Sequence, residues 1–327
     1  MNHKTALKMQ KRNVLVEISS IIFALTFTVL VMVVLFNEWE TYSDNIIYKI
    51  AFQRMEDKSI VDAYVQFVSL TAGVEPLTFF LFWVFSKFTT YFEFLFVFNF
   101  VLCFVFFKLI HRATSSFFYA CIALFFNYYI IVMMVGIQRF KFAFIFLMLT
   151  ILLSTYKTTF SILAISSHLQ SLIALPAFTL ARMRVDAKKL VNHIAVLAVV
   201  LIIIYIVNPD AVQNKLIGRI GSNWQDLIKS ILLASVSALF IKSITYGNIL
   251  SFVFLCLVAF VLGGFRINIL IYFLSTYLIL NQTGNSIRKK SYIIFSSLYL
   301  LYKSLELYYG HYNNNLFIDG DIGSIIY

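Results

Sequence analysis

This sequence predicts an all-α integral membrane bundle that crosses the bilayer many times, with re-entrant segments among its elements. Three observations carry that expectation. Of 327 residues, 61% are hydrophobic, 36 of them Phe. Only 13% are charged, against roughly 25% in soluble domains. Apolar runs recur from end to end, and most approach the ~20 residues that a helix needs to cross ~30 Å of hydrocarbon. About ten spans are expected, all helical because lipid offers the backbone no hydrogen-bond partner.

The first run, residues 18–36, follows Lys4, Lys8, Lys11 and Arg12. Basic flanks stay in the cytoplasm, which places the N-terminus there. The run is too long for a signal core and no small-residue cleavage site follows it, so it reads as an uncleaved anchor. Residues 37–66 hold Glu38, Glu40, Asp44, Glu56, Asp57 and Asp62, six of the chain's 15 acids. They read as a first extracytoplasmic loop. Glu75-Pro76 then opens an aromatic run, 79–88, and apolar runs follow at 92–107, 117–135 and 140–153. Gly136, Gln138, Arg139 and Lys141 mark the junction between the last two.

His168 lies within 162–175 among Ser166, Ser167, Gln170 and Ser171, and Arg182, Arg184, Lys188 and Lys189 mark a cytoplasmic end. After a run at 190–207, Asn208-Pro209 stops the helix and opens a second large loop, 208–230, partly helical and close to the interface. The runs 249–262 and 267–280 flank Gly263-Gly264, Arg266 and Asn268, and a hydrophilic tail begins at Leu305. No internal repeat of 20–50 residues appears. Residues 1–327 therefore read as a single transmembrane domain.

The net charge of +11 is spread between the runs. Its cations read as orientation signals rather than a nucleic-acid surface. Cys103, Cys121 and Cys256 sit in apolar runs without metal-like spacing and read as packing residues. Walker A, dinucleotide, HExxH and CxxC patterns are all missing, which disfavours nicotinamide chemistry and ATP-driven transport by this chain alone. Glu38-Trp39-Glu40 and Asp319-Gly320-Asp321 have metal-like spacing, but two acids two apart arise easily by chance.

Four places carry candidate chemistry. A charge at mid-bilayer costs roughly 3 kcal/mol on insertion scales, so such residues usually line a pathway or a reaction site. Arg139 offers a planar guanidinium suited to phosphate; the alternative is a loop cation reaching for headgroups. His168 in a polar cluster suits a wet cavity where imidazole donates to an anion or acts as base; the alternative is a histidine satisfied by a neighbouring carbonyl. Glu75 suits a carboxylate that accepts a proton or positions a hydroxyl; the alternative is a helix start favoured by the dipole, with Pro76 in the first turn. Arg266 beside paired glycines suits an anion site at a broken helix; the alternative is an interspan turn.

Counting one crossing per run makes Arg139 and Lys141 cytoplasmic. A re-entrant element near Glu75-Pro76 or near His168 inverts the parity of every span after it; Glu75-Pro76, which precedes Arg139, is the favoured place for one.

The order of these features resembles a known family. A basic N-terminus and one span precede a loop with Tyr42, Tyr48, Asp62 and Tyr64. Then come Glu75-Pro76, Arg139 with Ala143 four residues on, Ala164 four residues before His168, and finally Ser171 and Pro176. Over about residues 15–181 this resembles the Wzy-type O-antigen, capsule and exopolysaccharide polymerases, in particular the EpsG-like branch. Arg266 resembles a late arginine of the family. The chain departs from the pattern where Gln138 precedes the arginine and Phe140 follows it, where Leu77 stands in place of Gly, and where Ser171 falls one residue late.

The resemblance implies a glycosyltransferase of the bacterial inner membrane. It would transfer a growing glycan from undecaprenyl pyrophosphate to a lipid-linked repeat unit at the periplasmic face. His168 and Glu75 are then expected as catalytic residues, and Arg139, Arg266, Gln138 and Asp62 as substrate-binding ones. No metal and no cofactor are expected, because arginines would neutralise the leaving group. The implied partners are the lipid-linked oligosaccharide, the bilayer, a chain-length regulator and a flippase, with no nucleic acid. Two rival readings stand beside it: a transporter or flippase of lipid-linked oligosaccharide, and a membrane O-acyltransferase.

Overall fold

The computed structural model describes residues 3–39, 45–71, 73–168, 171–182, 224–262, 264–282 and 286–312. Every regular element among them is a helix. Among the described residues two helical stretches, Val14–Val34 and Tyr91–Thr114, are each long and apolar enough to cross a membrane, and two bent helix pairs raise that number to four if each pair is one span. The expectation of about ten spans is met only at this coarser level. The reason lies in polar punctuation: Asn127, Gly136 and similar residues break the apolar runs into helices too short to cross alone. The chain packs as two compact units, Met1–Leu169 with Ile293–Tyr327, and Gln170–Tyr292.

In the first unit, α1 (His3–Trp39) lies antiparallel to α5 (Tyr91–Thr114). Glu17 pairs with Lys108, Phe23 meets Phe107 at 5.7 Å, and the Asn99 amide donates to Met32 Sδ at 2.9 Å. Thr90 and Glu93 form a reciprocal capping box at the start of α5. At its end Ser115 adopts a left-handed conformation, φ 53°, and turns the chain into α6 (Phe117–Phe125). α7 (Tyr128–Val135) continues α6 after a 57° bend at Asn127, whose side chain accepts the Ile130 N–H. α8 (Gln138–Leu152) runs in the same direction as α5: Phe98 meets Phe142 at 4.9 Å, and Arg112 donates to the Leu152 carbonyl at 2.6 Å. A 3-10 turn, Ser154–Tyr156, leads to α9 (Lys157–Ser167), which returns antiparallel to α8. The start of α8 and the end of α9 therefore lie toward the same end of this unit as the C-terminus of α1.

The hydrophilic segment 37–66 is largely helical. α2 (Asn45–Arg54) buries Asn45, Tyr48, Ala51 and Phe52, a helical spacing that its charged residues hide from a composition count. α3 (Ile60–Thr71) and α4 (Pro76–Ser86) meet at a 115° bend. Each arm is about 16–18 Å long at 1.5 Å per residue. Their far ends are fastened together. The Lys87 ammonium donates to the carbonyls of Met55 at 3.2 Å and Lys58 at 3.1 Å, and to that of Glu56, while Trp83 Nε1 donates to Lys58 at 3.2 Å. The pair is thus a V whose two open ends share one level, with Gly73, Glu75 and Pro76 near its tip. Phe82, fully buried, holds the V in place. Its ring lies 4.9–5.9 Å from Phe94, Tyr48, Phe67 and Phe52 and 6.2 Å from Phe142. Each such aromatic pair is worth roughly 0.5–1.5 kcal/mol beyond simple contact area.

The second unit contains α10 (Ser171–Arg182), α11 (Trp224–Leu239), α12 (Tyr246–Leu262), α13 (Gly264–Leu280) and the start of α14 (Ser286–Tyr312). Ser230 donates to Asn268 at 2.7 Å, and Asn248 donates to the Ala181 carbonyl at 3.0 Å. These tie α11 to α13 and α12 to α10. The segment 208–230 is helical from Trp224 onward, and residues 208–223 lie outside the described residues, as does the run 190–207.

Lys87→Met removes the ammonium that joins the two ends of the V. Hydrogen bonds from a charged donor are worth about 1.5–3 kcal/mol, discounted here because Lys87 is partly exposed. A loss of about 1 kcal/mol in thermal or detergent-induced unfolding is expected.

Candidate functional site

Glu75 is the N-cap residue of α4, extended at φ −74°, ψ 110°, with Pro76 beginning the helix. Its side chain makes no capping hydrogen bond. A helix-start role therefore accounts for Pro76 but not for the carboxylate. That group, 4% exposed, instead accepts from two cations or potential cations distant in sequence. Arg139 Nη1 donates to Oε2 at 3.0 Å and to Oε1 at 3.3 Å, and His168 Nδ1 donates to Oε1 at 2.9 Å.

Arg139 is the second residue of α8, where the helix N-terminus adds partial positive charge to its own. An anion at this point is favoured twice over. The guanidinium carbon lies 5.9 Å from the Tyr48 ring centroid, a cation–π contact that fixes its direction. Gly73 lets it approach the V. A Cβ there would lie 2.7 Å from Arg139 Nη1 and 2.9 Å from Glu75 Oε2, far inside contact distance. His168 caps α9 with an extended backbone; its N–H reaches the Ala164 carbonyl at 3.1 Å, and its ring packs edge-on to Phe140 at 5.6 Å. Thr78 of α4 donates to the Ser167 carbonyl at 2.8 Å, locking α4 to the end of α9. With Nδ1–H committed to the carboxylate, the neutral imidazole carries its lone pair on Nε2.

The corner that presents Arg139 has its own polar support. α7 ends inside the protein, where its last carbonyls need donors. Asn45 donates to Val135; Asn99 donates to Met134 at 3.2 Å, and the fully buried Lys141 does so at 3.4 Å. Gln138 Nε2 donates to Asn45 Oδ1 at 2.5 Å, which joins the start of α8 to the same knot. Two residues along a helix is about 200°, so Lys141 points away from Arg139 and toward the end of α7. Lys141 is an interior cap rather than a headgroup anchor.

The structure thus gathers His168, Glu75 and Arg139, while Gln138 supports the corner without touching the carboxylate. Asp62 lies elsewhere: it is exposed, accepts from Ser59 at 2.6 Å, and stands about 14 Å along α3 from the V tip. Arg266 sits in the first turn of α13, its side chain outside the described residues. α12 ends at Leu262 and α13 begins at Gly264, and the residue between them, Gly263, lies outside the described residues. Glu40, Gly263 and Asp319–Asp321 lie outside the described residues, and among those described no three His, Cys, Asp or Glu side chains converge as metal ligands. Sequence reasoning missed Asn45 and Gly73. Gly73, in a chain with 11 glycines and two residues before Glu75, was the readable signal.

A double-mutant cycle with Glu75→Gln and Arg139→Gln should give a coupling energy of about 1–3 kcal/mol in unfolding measurements. A value near zero contradicts the ion pair. No protein-family model, curated protein or solved structure matches the chain.

Proposed function

We propose that the chain is a multi-pass glycosyltransferase of the bacterial inner membrane that elongates a polysaccharide on undecaprenyl pyrophosphate. The observation that carries this reading is the buried Glu75–Arg139–His168 cluster at the tip of the V. It supplies an anion-binding cation and an oriented base within one site. The basic residues ahead of the first span favour a cytoplasmic N-terminus. On that orientation the end of α1, the open side of the V and Arg139 all face the periplasm. Arms of about 16–18 Å cannot cross ~30 Å of hydrocarbon. A hairpin that enters and leaves on one side reverses the parity of the simple crossing count. That supports a periplasmic Arg139.

The chemistry follows from the charges. An acceptor hydroxyl on the incoming lipid-linked unit attacks the anomeric carbon of the growing chain. The bond from that carbon to the pyrophosphate oxygen breaks, and undecaprenyl pyrophosphate departs with the electron pair. Arg139 and the α8 N-terminus stabilise the charge as it grows. His168 Nε2 takes the hydroxyl proton while the Glu75 carboxylate holds Nδ1–H and steadies the imidazolium. Gly73 and Tyr48 set the position of the guanidinium. A chain-length regulator and a flippase are the companions such a reaction needs.

Arg139→Ala and His168→Ala should abolish long-chain glycan in cells while single repeat units still reach the surface; a general base alone contributes roughly 10²–10⁴-fold. Loss of the one-unit product as well would favour a flippase, and wild-type chain lengths in both variants would remove these residues from the mechanism. Gly73→Ala should shorten chains strongly with little change in protein level, since it displaces Arg139 rather than the core. A cysteine at position 139, in a background lacking Cys103, Cys121 and Cys256, should react with an impermeant thiol reagent in cells whose outer membrane is permeabilised. Protection there, with labelling only after lysis, contradicts the orientation.

A further inference from the structure

Arg139 is occupied before any substrate arrives. Its Nη1 lies 3.0 Å and 3.3 Å from the two Glu75 oxygens, on the side of the guanidinium that Gly73 leaves open. Of the three side chains Arg139 is the most accessible, at 21% exposed against 4% for Glu75 and 8% for His168. An anion reaching the cluster therefore meets the guanidinium first and finds a carboxylate already on it. Two anions on one guanidinium edge at hydrogen-bond distance repel strongly where water is scarce. Glu75 has a second anchor that Arg139 does not share, the His168 Nδ1–H at 2.9 Å.

From this arrangement we infer that Glu75 is a resident anion holding the diphosphate site, and that a diphosphate binds by displacing it from Arg139 onto His168. The inference rests on the proposed function and adds to it how the site is switched on. While Arg139 shares the carboxylate, its positive charge offsets part of the carboxylate's pull on the imidazole. Once the diphosphate takes Arg139, the full carboxylate charge falls on Nδ1–H and raises the basicity of Nε2. Base strength then rises only when a donor with its leaving group is in place, so the base is not active toward water in an empty site.

The test uses the full-length protein in nanodiscs and inorganic pyrophosphate as probe, with binding measured by calorimetry. Glu75→Gln removes the competing charge at nearly constant shape and should tighten pyrophosphate binding about tenfold, while Arg139→Ala weakens it by at least about tenfold. Glu75→Asp keeps the charge but shortens the reach, and should fall between wild type and the Gln variant. If the Gln variant does not fold, tighter pyrophosphate binding by Glu75→Asp than by wild type carries the test, and unchanged or weaker binding overturns the displacement. In transfer assays Glu75→Gln should lower the donor KM and also lower kcat. Unchanged or weaker pyrophosphate binding in the Gln variant, with binding still lost in Arg139→Ala, overturns the displacement and leaves the glycan-transfer reading standing. Unchanged binding in Arg139→Ala overturns both.

Discussion

The Glu75 carboxylate lies between a guanidinium and an imidazole, inside a bundle whose other contacts are mostly apolar. Burying one of these charges alone would be prohibitive, and burying a cation with its counter-ion is tolerable only when both are hydrogen-bonded. Much of the first unit can be understood as the means of meeting that condition. α4 is started by Pro76 so that Glu75 sits just outside the helix, α8 presents Arg139 in its first turn, and α9 stops at His168. Three helix ends converge on one point. Two of these ends, of α4 and α8, are N-termini whose dipoles favour an anion, while the C-terminus of α9 favours positive charge on His168.

Convergent helix ends inside an apolar bundle bring a second burden. Every helix that stops short leaves carbonyls without partners, and lipid supplies no donors. At the end of α7 the donors are Asn45, Asn99 and Lys141. Asn45 comes from α2, which the charged composition of its surroundings disguised. It is bonded to both Val135 and Gln138, so the corner between α7 and α8 is fixed from outside. Precision at Arg139 thus derives from a polar knot on the side of α8 away from the carboxylate.

The helical class was legible in the apolar runs, and Arg139, His168 and Glu75 were legible because charge and apolar surroundings conflict there. Their mutual contact was not. The partners stand 64 and 93 positions apart, and no periodicity links them. The V was half visible: Glu75-Pro76 marked a helix start, but only the Lys87 contacts show that both arms end at one level. Asp62 was expected from the resemblance alone; at the start of α3 it bonds Ser59, an arrangement that helix capping and the dipole favour. The number of spans, four at most among the described residues, was not legible for a related reason. Composition averages over breaks, and Asn127 as a cap converts one apolar run into two short helices.

The V also bears on why a short hairpin is used where a full span would serve the core equally well. A continuous helix satisfies its own backbone and would leave Glu75 facing either lipid or packed side chains. A hairpin of two arms ends instead at a tip, the point where the backbone is least self-sufficient and polar side chains are in demand. Polar side chains near the tip are then supported by neighbouring helix ends, while apolar rings such as Phe82 and Phe67 line the arms. A change that lengthens or shortens one arm moves Glu75 relative to Arg139, whose height is fixed independently by the corner at Gly136. The site therefore tolerates sequence variation along the arms' outer faces far better than any insertion within them.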